Sequence, residues 1–140
     1  MDVRILKTGD EALLRQAAAA ADDDDVDLAR CAVLLGDANF VAAVALDGRR
    51  PLGLAYGHVL RQLTGDGLIL YSMDVAEPDR RRGAARAMVE ALRAYCDDHG
   101  LFEMWVPTNS GNGPAMALYA ACGGVREDDD EAIFVFPARG

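Results

Sequence analysis

Hydrophobic and polar positions fall in blocks along the chain, and the period of each block predicts its element. From Glu11 an alanine-rich stretch runs to Ala21, preceded by Thr8, which stands three residues before Glu11. That is capping-box spacing, in which each side chain can satisfy the other residue's free backbone N–H. A helix is therefore expected from about Asp10 to Ala21, ended by the aspartates that follow, since carboxylates are unfavourable at the negative end of a helix dipole. Asp27 is placed to cap a second short helix through Leu28, Cys31, Val33 and Leu34, stopped at Gly36. From Phe40 the pattern becomes β-type: Phe40 to Leu46, a turn at Asp47-Gly48, then Leu52 to Leu60, a turn at Gly65-Asp66-Gly67, and Leu68 to Val75. Asp-Gly between apolar runs is a hairpin signal, so three strands in a meander are expected.

After Arg82 the period is helical, with Ala85, Met88, Val89, Leu92 and Cys96 at i, i+3, i+4, i+7 and i+11. Gly100 is the natural C′ residue of that helix. Leu101 to Val106 reads as a strand, Asn112-Gly113-Pro114 opens another helix, and Gly123-Gly124 closes it after Cys122, with Pro just inside the start and Gly just past the end. Ala132 to Phe136 reads as a last strand.

Composition adds bounds. The chain has 140 residues, 51% hydrophobic and 26% charged, with 5 prolines. Such a profile predicts one folded domain over residues 1–140 and excludes a disordered chain, which needs low hydrophobicity and high charge. Against 23 Asp and Glu stand 14 Lys and Arg, a net charge of −9. That balance argues against a nucleic-acid partner, because affinity for phosphate backbones comes mainly from Lys and Arg releasing counterions. A cationic small molecule or basic peptide would be drawn in instead. The charge is unevenly placed: Asp22 to Asp25 with Asp27, and Glu127 to Glu131, are acidic blocks, whereas Arg80, Arg81, Arg82 and Arg86 form a basic one. Cys31, Cys96 and Cys122 have neither C-x-x-C spacing nor a metal-ligand pattern, so no metal site is expected and each reads as a small buried hydrophobe. The first residues lack the apolar segment of a signal peptide, and no apolar run nears the roughly 18 residues of a membrane span. A reducing cytoplasm and no membrane partner are expected.

The segment Leu70 to Ala85 carries the candidate chemistry: a strand, a short loop and a helix start whose loop residues are small or cationic. The first N–H groups of a helix lack internal partners and sit at the positive end of its dipole, so this turn suits a phosphate. Gly83, Ala84 and Ala85 let backbone amides come close, and the arginines add charge-assisted bonds. Taken alone, the same residues also describe a solvated basic turn.

Nearly the whole chain resembles the GCN5-related N-acetyltransferase (GNAT) superfamily. The family's acetyl-CoA loop, Arg/Gln-x-x-Gly-x-Gly/Ala, is matched by Arg80-Arg81-Arg82-Gly83-Ala84-Ala85, and its Asn-x-x-Ala-x-x-Leu-Tyr pattern with Gly four residues on is matched by Asn112, Ala115, Leu118, Tyr119 and Gly123. The resemblance implies an α/β (α+β) fold with a central mixed, mostly antiparallel sheet, splayed between its fourth and fifth strands and flanked by about four helices. It implies acetyl-CoA as cofactor, with coenzyme A as product and direct attack in a ternary complex. Cofactor contacts would come from the backbone of Met73 and Val75, from Arg80 to Ala85 with Arg86, and from Asn112 and Ala115. Tyr119 falls at the family's acid position, where a phenol, with a reference pKa of about 10, can protonate the departing thiolate; the alternative is a core aromatic. The incoming amine, near 10.4 by reference, needs a base or relay. Asp74 ranks first for that role, ahead of His58 on the preceding strand; a solvent-facing strand end and a structural histidine are the alternatives. Gly124 stands where the family carries an aromatic or apolar residue.

Within the superfamily the chain is similar to small aminoglycoside 3-N-acetyltransferases, through Tyr71-Ser72-Met73-Asp74-Val75, the arginine loop, Pro114-Ala115-Met116-Ala117-Leu118-Tyr119 and Arg126-Glu127-Asp128. This likeness implies an acceptor site including Tyr71, Ser72, Asn109 and Asp128. Acidic residues that those enzymes carry before the Pro-Ala motif are replaced here by Asn109, Ser110, Asn112 and Gly113, and their strand Asp by Ser72. The two acidic blocks would then frame the acceptor, or stand as solvated loops. A polyamine, amino acid or peptide amine is the alternative acceptor, and a catalytically silent acyl-CoA-binding module the alternative class. Ile133, Val135 and Phe136 would pair two copies as a homodimer or face the core.

Overall fold

In the computed structural model, which describes residues 1–23 and 25–139, the chain runs β1 (Asp2–Ile5), α1 (Glu11–Ala20), α2 (Leu28–Leu35), β2 (Phe40–Asp47), β3 (Arg50–Gln62), β4 (Gly65–Val75), a 3-10 turn (Glu77–Asp79), α3 (Ala84–Asp98), β5 (Met104–Trp105) and α4 (Gly113–Ala121). Asp24, within the first acidic block, lies outside the described residues. The strands form one sheet in the order β1-β2-β3-β4-β5, the first four antiparallel and β5 parallel to β4. Val41 to Leu46 are all buried because helices cover both faces of the sheet. An unbroken apolar run is what a strand buried on both sides needs.

α1 and α2 pack on one face through Leu14, Ala17, Ala18 and Cys31, against Ala42, Val44 and Leu54. α3 packs on the other through Ala84, Met88, Leu92 and Cys96, against Val41, Ala43, Leu52, Leu68 and Leu70. Leu52, Leu68, Leu70, Met88 and Leu92 are wholly buried, each contributing about 1.5–3 kcal/mol through lost apolar exposure. All three cysteines are free and buried, as expected. No helix among the described residues is long and apolar enough to cross a membrane.

Several local expectations are corrected. The Thr8/Glu11 capping box does not form: the Thr8 hydroxyl donates to the Leu35 carbonyl at 3.3 Å, and the Glu11 carboxylate accepts from the Gly9 N–H at 3.2 Å. Tertiary contact with the end of α2 outbids the local motif. β1 is a strand that the periodicity did not predict; four residues alternating exposed and half-buried carry too short a signal. Gly65, Asp66 and Gly67 belong to β4, and the turn falls at Leu63-Thr64, because Gln62 pairs with Gly65. The Trp105 ring covers Gly67 where a Cβ would stand. Only Met104 and Trp105 of the expected Leu101 to Val106 run make a strand. Ala132 to Phe136 forms no strand, and Ile133, Val135 and Phe136 are 79%, 80% and 92% exposed, so they do not enter the core either. An apolar run becomes a strand only against a matching edge, and β5 is two residues long.

Candidate active site

Asp79 organises the loop that leads into α3. Its buried carboxylate accepts two bonds from the Arg50 guanidinium of β3, at 2.8 and 3.1 Å, and one from Arg82 at 3.1 Å. Arg82 reaches onward to Asp47 at 3.3 Å, and Arg80 donates from Nε to the Val75 carbonyl at 3.2 Å. Hydrogen bonding from Arg50 holds the Asp79 carboxyl below its ordinary range. A depressed carboxylate stabilises the fold above its unfolded pKa of about 3.9, and the contribution is lost as pH falls through the lower folded value. Asp79→Asn is therefore expected to lower Tm near neutrality, with the gap from the parent narrowing as pH falls below about 3.9; a pH-independent gap in thermal melts would rule out this linkage.

Held this way, Arg81 and Gly83 adopt left-handed conformations, φ 68 and 87. The first backbone N–H of the α3 ladder to find an acceptor is that of Ala87, on the Gly83 carbonyl at 3.0 Å. Among the described residues the amides of Arg81 to Arg86 have no backbone acceptor, so they form an open donor cradle at the positive end of a helix of 15 residues. Arg81 and Arg86 make no ion pair among the described residues, whereas Arg82 is committed to Asp79 and Asp47. The basic cluster thus divides into a clamp and a free pair. Asp79 and Arg50 escaped the sequence reading because their pairing spans 29 positions.

β4 and β5 pair only at Leu68↔Met104 and Ile69↔Trp105, after which they part. Where they part, β4 bulges: Tyr56 faces Ser72 and Gly57 faces Leu70, leaving Tyr71 as the extra residue. Glycine is required opposite, since a Cβ at Gly57 would run into the Ile69 carbonyl. The opening is a cleft of about 340 Å³ lined by Tyr71, Ser72 and Met73 of β4, by Asn109 and Asn112, and by Ala115 and Tyr119 of α4, with Val106, Pro107 and Ile133 at its sides. Asn112 caps α4, accepting from the Ala115 N–H at 3.2 Å. At the other end Gly124 and Gly123 donate to the carbonyls of Tyr119 and Ala120 at 2.8 and 3.0 Å, and Arg93 donates to the Cys122 carbonyl at 2.7 Å. Gly124, the departure from the family pattern, is thereby part of the helix stop.

Burial pushes the Tyr119 phenol upward, with Cys122 and Asp74 adding to it, so the hydroxyl keeps its proton at neutral pH. Asp74 lies at the end of β4, outside the cleft lining; partial burial raises its pKa first, then the charges of Asp23 and Asp22, against the pull of Arg80. Asp22 and Asp23 are held there by the end of α1, where Asp22 takes φ 67 and Asp23 donates to the Ala18 carbonyl at 2.8 Å. Of the first acidic block, Asp22 and Asp23 are the members whose charge acts on Asp74. Asp128 instead accepts from the Asp130 N–H at 2.8 Å within its own exposed loop and does not line the cleft. The Tyr71 hydroxyl lies 2.7 Å from His58 Nδ1.

The acetyltransferase (GNAT) family pattern matches residues 10–124. The chain belongs to this family. It is an acetyl-CoA-dependent N-acetyltransferase, and the splayed sheet with helices on both faces is the GNAT fold. An aminoglycoside acetyltransferase, HMB0005, from an uncultured soil metagenomic sample is similar at 27% identity, with a TM-score of 0.83 over 99% of this chain and 98% of that one. Two further structures share the fold. The soil metagenomic aminoglycoside acetyltransferase meta-AAC0020 in complex with sisomicin has 18% identity and a TM-score of 0.86 over 98% and 96% of the two chains. The aminoglycoside N-acetyltransferase AAC(6')-Iy in complex with CoA has 18% identity and a TM-score of 0.76 over 99% and 95%. No curated protein sequence matches the chain.

Proposed function

We propose that this acetyltransferase acts on an amine of an aminoglycoside, the 3-N amine by its motif likeness, through direct attack in a ternary complex. The observation that carries the acceptor class is Asp74 at the end of β4, whose carboxyl is raised by partial burial first and then by the charges of Asp23 and Asp22. Like charges brought together disfavour one another, and a polycationic ligand relieves that cost. The similarity to a soil aminoglycoside acetyltransferase supports the same class.

The open amides of Arg81 to Arg86 fit a pyrophosphate, and Gly83 leaves the space above them clear, since a Cβ there meets nothing within 4 Å. In this reading those amides with Arg81 and Arg86 hold the coenzyme A phosphates, Arg80 borders them, and Met73, Val75, Asn112 and Ala115 flank the arm. Acetyl-CoA supplies the activated thioester when bound. Tyr119 holds a proton at its hydroxyl for the leaving sulfur, Asp74 anchors the acceptor's ammonium, and Tyr71, Ser72 and Asn109 line its approach.

Thiol release from acetyl-CoA with kanamycin, gentamicin, spermidine and small peptides tests the reading. Turnover is expected with the aminoglycosides, and NMR of the product distinguishes the 3-N from the 6'-N position. Turnover of peptides alone would sink the aminoglycoside acceptor, and tight acetyl-CoA binding without any turnover would favour a silent module.

A further inference from the structure

One chain of polar side chains opens on the cleft without serving the loop, the caps or the core. Phe40 of β2, Tyr56 and His58 of β3 and Tyr71 of β4 form an aromatic group on the α1/α2 side of the sheet. Within it the Tyr71 hydroxyl lies 2.7 Å from His58 Nδ1, and the two rings stack with planes 7° apart. On the far side of the imidazole, Asp37 Oδ2 lies 3.8 Å from Nε2. Asp37 is itself fixed, its other oxygen accepting from the Asn39 N–H at 2.8 Å. Tyr71 is the bulged residue of β4, 47% exposed, and lines the same cleft as Tyr119.

We propose that Tyr71, His58 and Asp37 form a proton relay that takes the acceptor ammonium's proton before attack. This rests on the N-acetyltransferase reading above. The tautomer is assigned by the chemistry of the contact: Nδ1 accepts from the phenol, and Nε2–H points to Asp37. In the step, an N–H bond of the ammonium breaks and its proton passes to the Tyr71 oxygen, while the phenolic proton passes to His58 Nδ1. The amine keeps the electron pair that it uses on the thioester carbonyl, and the positive charge ends on an imidazolium facing the Asp37 carboxylate. The half-exposed imidazolium then returns its proton to water.

Three arguments favour this route over Asp74. A phenol can relay a proton only if it stays neutral, and burial, with Tyr56 beside it, pushes the Tyr71 phenol upward. Asp74 does not line the cleft and stands among Asp22 and Asp23, an arrangement suited to holding the ammonium. The parallel rings and the bulge give Tyr71 one defined orientation from the cleft to His58. Among the described residues the titratable groups facing the imidazole are Tyr71 from β4 and Asp37 from the segment before β2; Tyr56, two residues from His58 on β3, faces Tyr71.

The test combines pH profiles with an NMR titration, using whichever amine of the panel is turned over. In the parent, kcat/KM for the amine is expected to rise with pH along one limb that belongs to the relay. His58→Gln is expected to lower kcat/KM about 10²-fold and abolish that limb, with acetyl-CoA affinity unchanged. Tyr71→Phe should lower the rate similarly, again with acetyl-CoA affinity unchanged. Nitrogen-15 shifts of the parent should show the Nε2–H tautomer. An unchanged limb in His58→Gln, loss of the limb in Asp74→Asn instead, or an Nδ1–H tautomer would overturn the relay alone. Absence of turnover with every amine would overturn the transfer reading and the relay with it.

Discussion

Tyr119→Phe is expected to lower kcat by about 10²-fold or more while acetyl-CoA binds as before. The thiolate of coenzyme A is a poor leaving group into a partly buried cleft unless it receives a proton as it departs. Tyr119 is suited to give one: it lines the cleft, and burial together with Cys122 and Asp74 keeps its hydroxyl protonated. Among the described residues that hydroxyl makes no hydrogen bond, so phenylalanine removes the proton donor and leaves packing intact. α4 itself is fixed by other groups, Asn112 at one end and Arg93 with Gly123 and Gly124 at the other. Thiol-release kinetics with calorimetric titration of acetyl-CoA separate the two effects. Parent kcat in the variant would remove Tyr119 from the role of acid.

Gly83→Val is expected to weaken acetyl-CoA on the order of 10²-fold, the equivalent of losing one or two charge-assisted hydrogen bonds, with a small drop in Tm. A Cβ at this position meets no atom within 4 Å, so the substitution does not disturb the packed interior. What it disturbs is the backbone. At φ 87 a β-branched residue is strained, and relaxing toward negative φ rotates the open amides of the cradle away from one another. The branched side chain also enters the space that a phosphate would take. The effect should appear in the Kd of acetyl-CoA and leave kcat at saturation largely intact. Retained affinity would contradict the placement of the pyrophosphate on these amides.

How much was legible depended on the range of the interaction. The motif Arg80 to Ala85 is contiguous, and its helix start, its left-handed glycine and its free amides follow from local rules, so it could be read directly. The same holds for Asp27, which caps α2 through the Arg30 N–H at 2.8 Å, and for the stops at Gly100 and Gly123. Reading failed where a partner distant in sequence decided the outcome. Thr8 left its capping box for the carbonyl of Leu35, and Gly65 to Gly67 left their turn for β4, under the Trp105 ring. Ile133 to Phe136 carry strand-like residues with no edge to pair against.

Charge followed the same division. The net charge of −9 pointed to a cationic partner, and the position of the carboxylates sharpened that: Asp22 and Asp23 act on Asp74, whereas Asp128 stays in its own loop. The arginines separated likewise into the Arg82 clamp and Arg81 and Arg86, which make no ion pair among the described residues.

The amino-acid sequence by itself carried the family resemblance, the order of the main elements, the candidate cofactor loop and the candidate acid, because each motif is made of residues close together in the chain. Tertiary structure alone decided which arginines are committed to ion pairs, that Asp22 and Asp23 act on Asp74, that Tyr71 is both the bulged residue of β4 and part of the cleft lining, and that His58 stands between Tyr71 and Asp37. Those facts depend on strand register and on pairs 13, 21 and 29 positions apart. Periodicity states which face a side chain takes, and only the packed sheet states which residue it meets there.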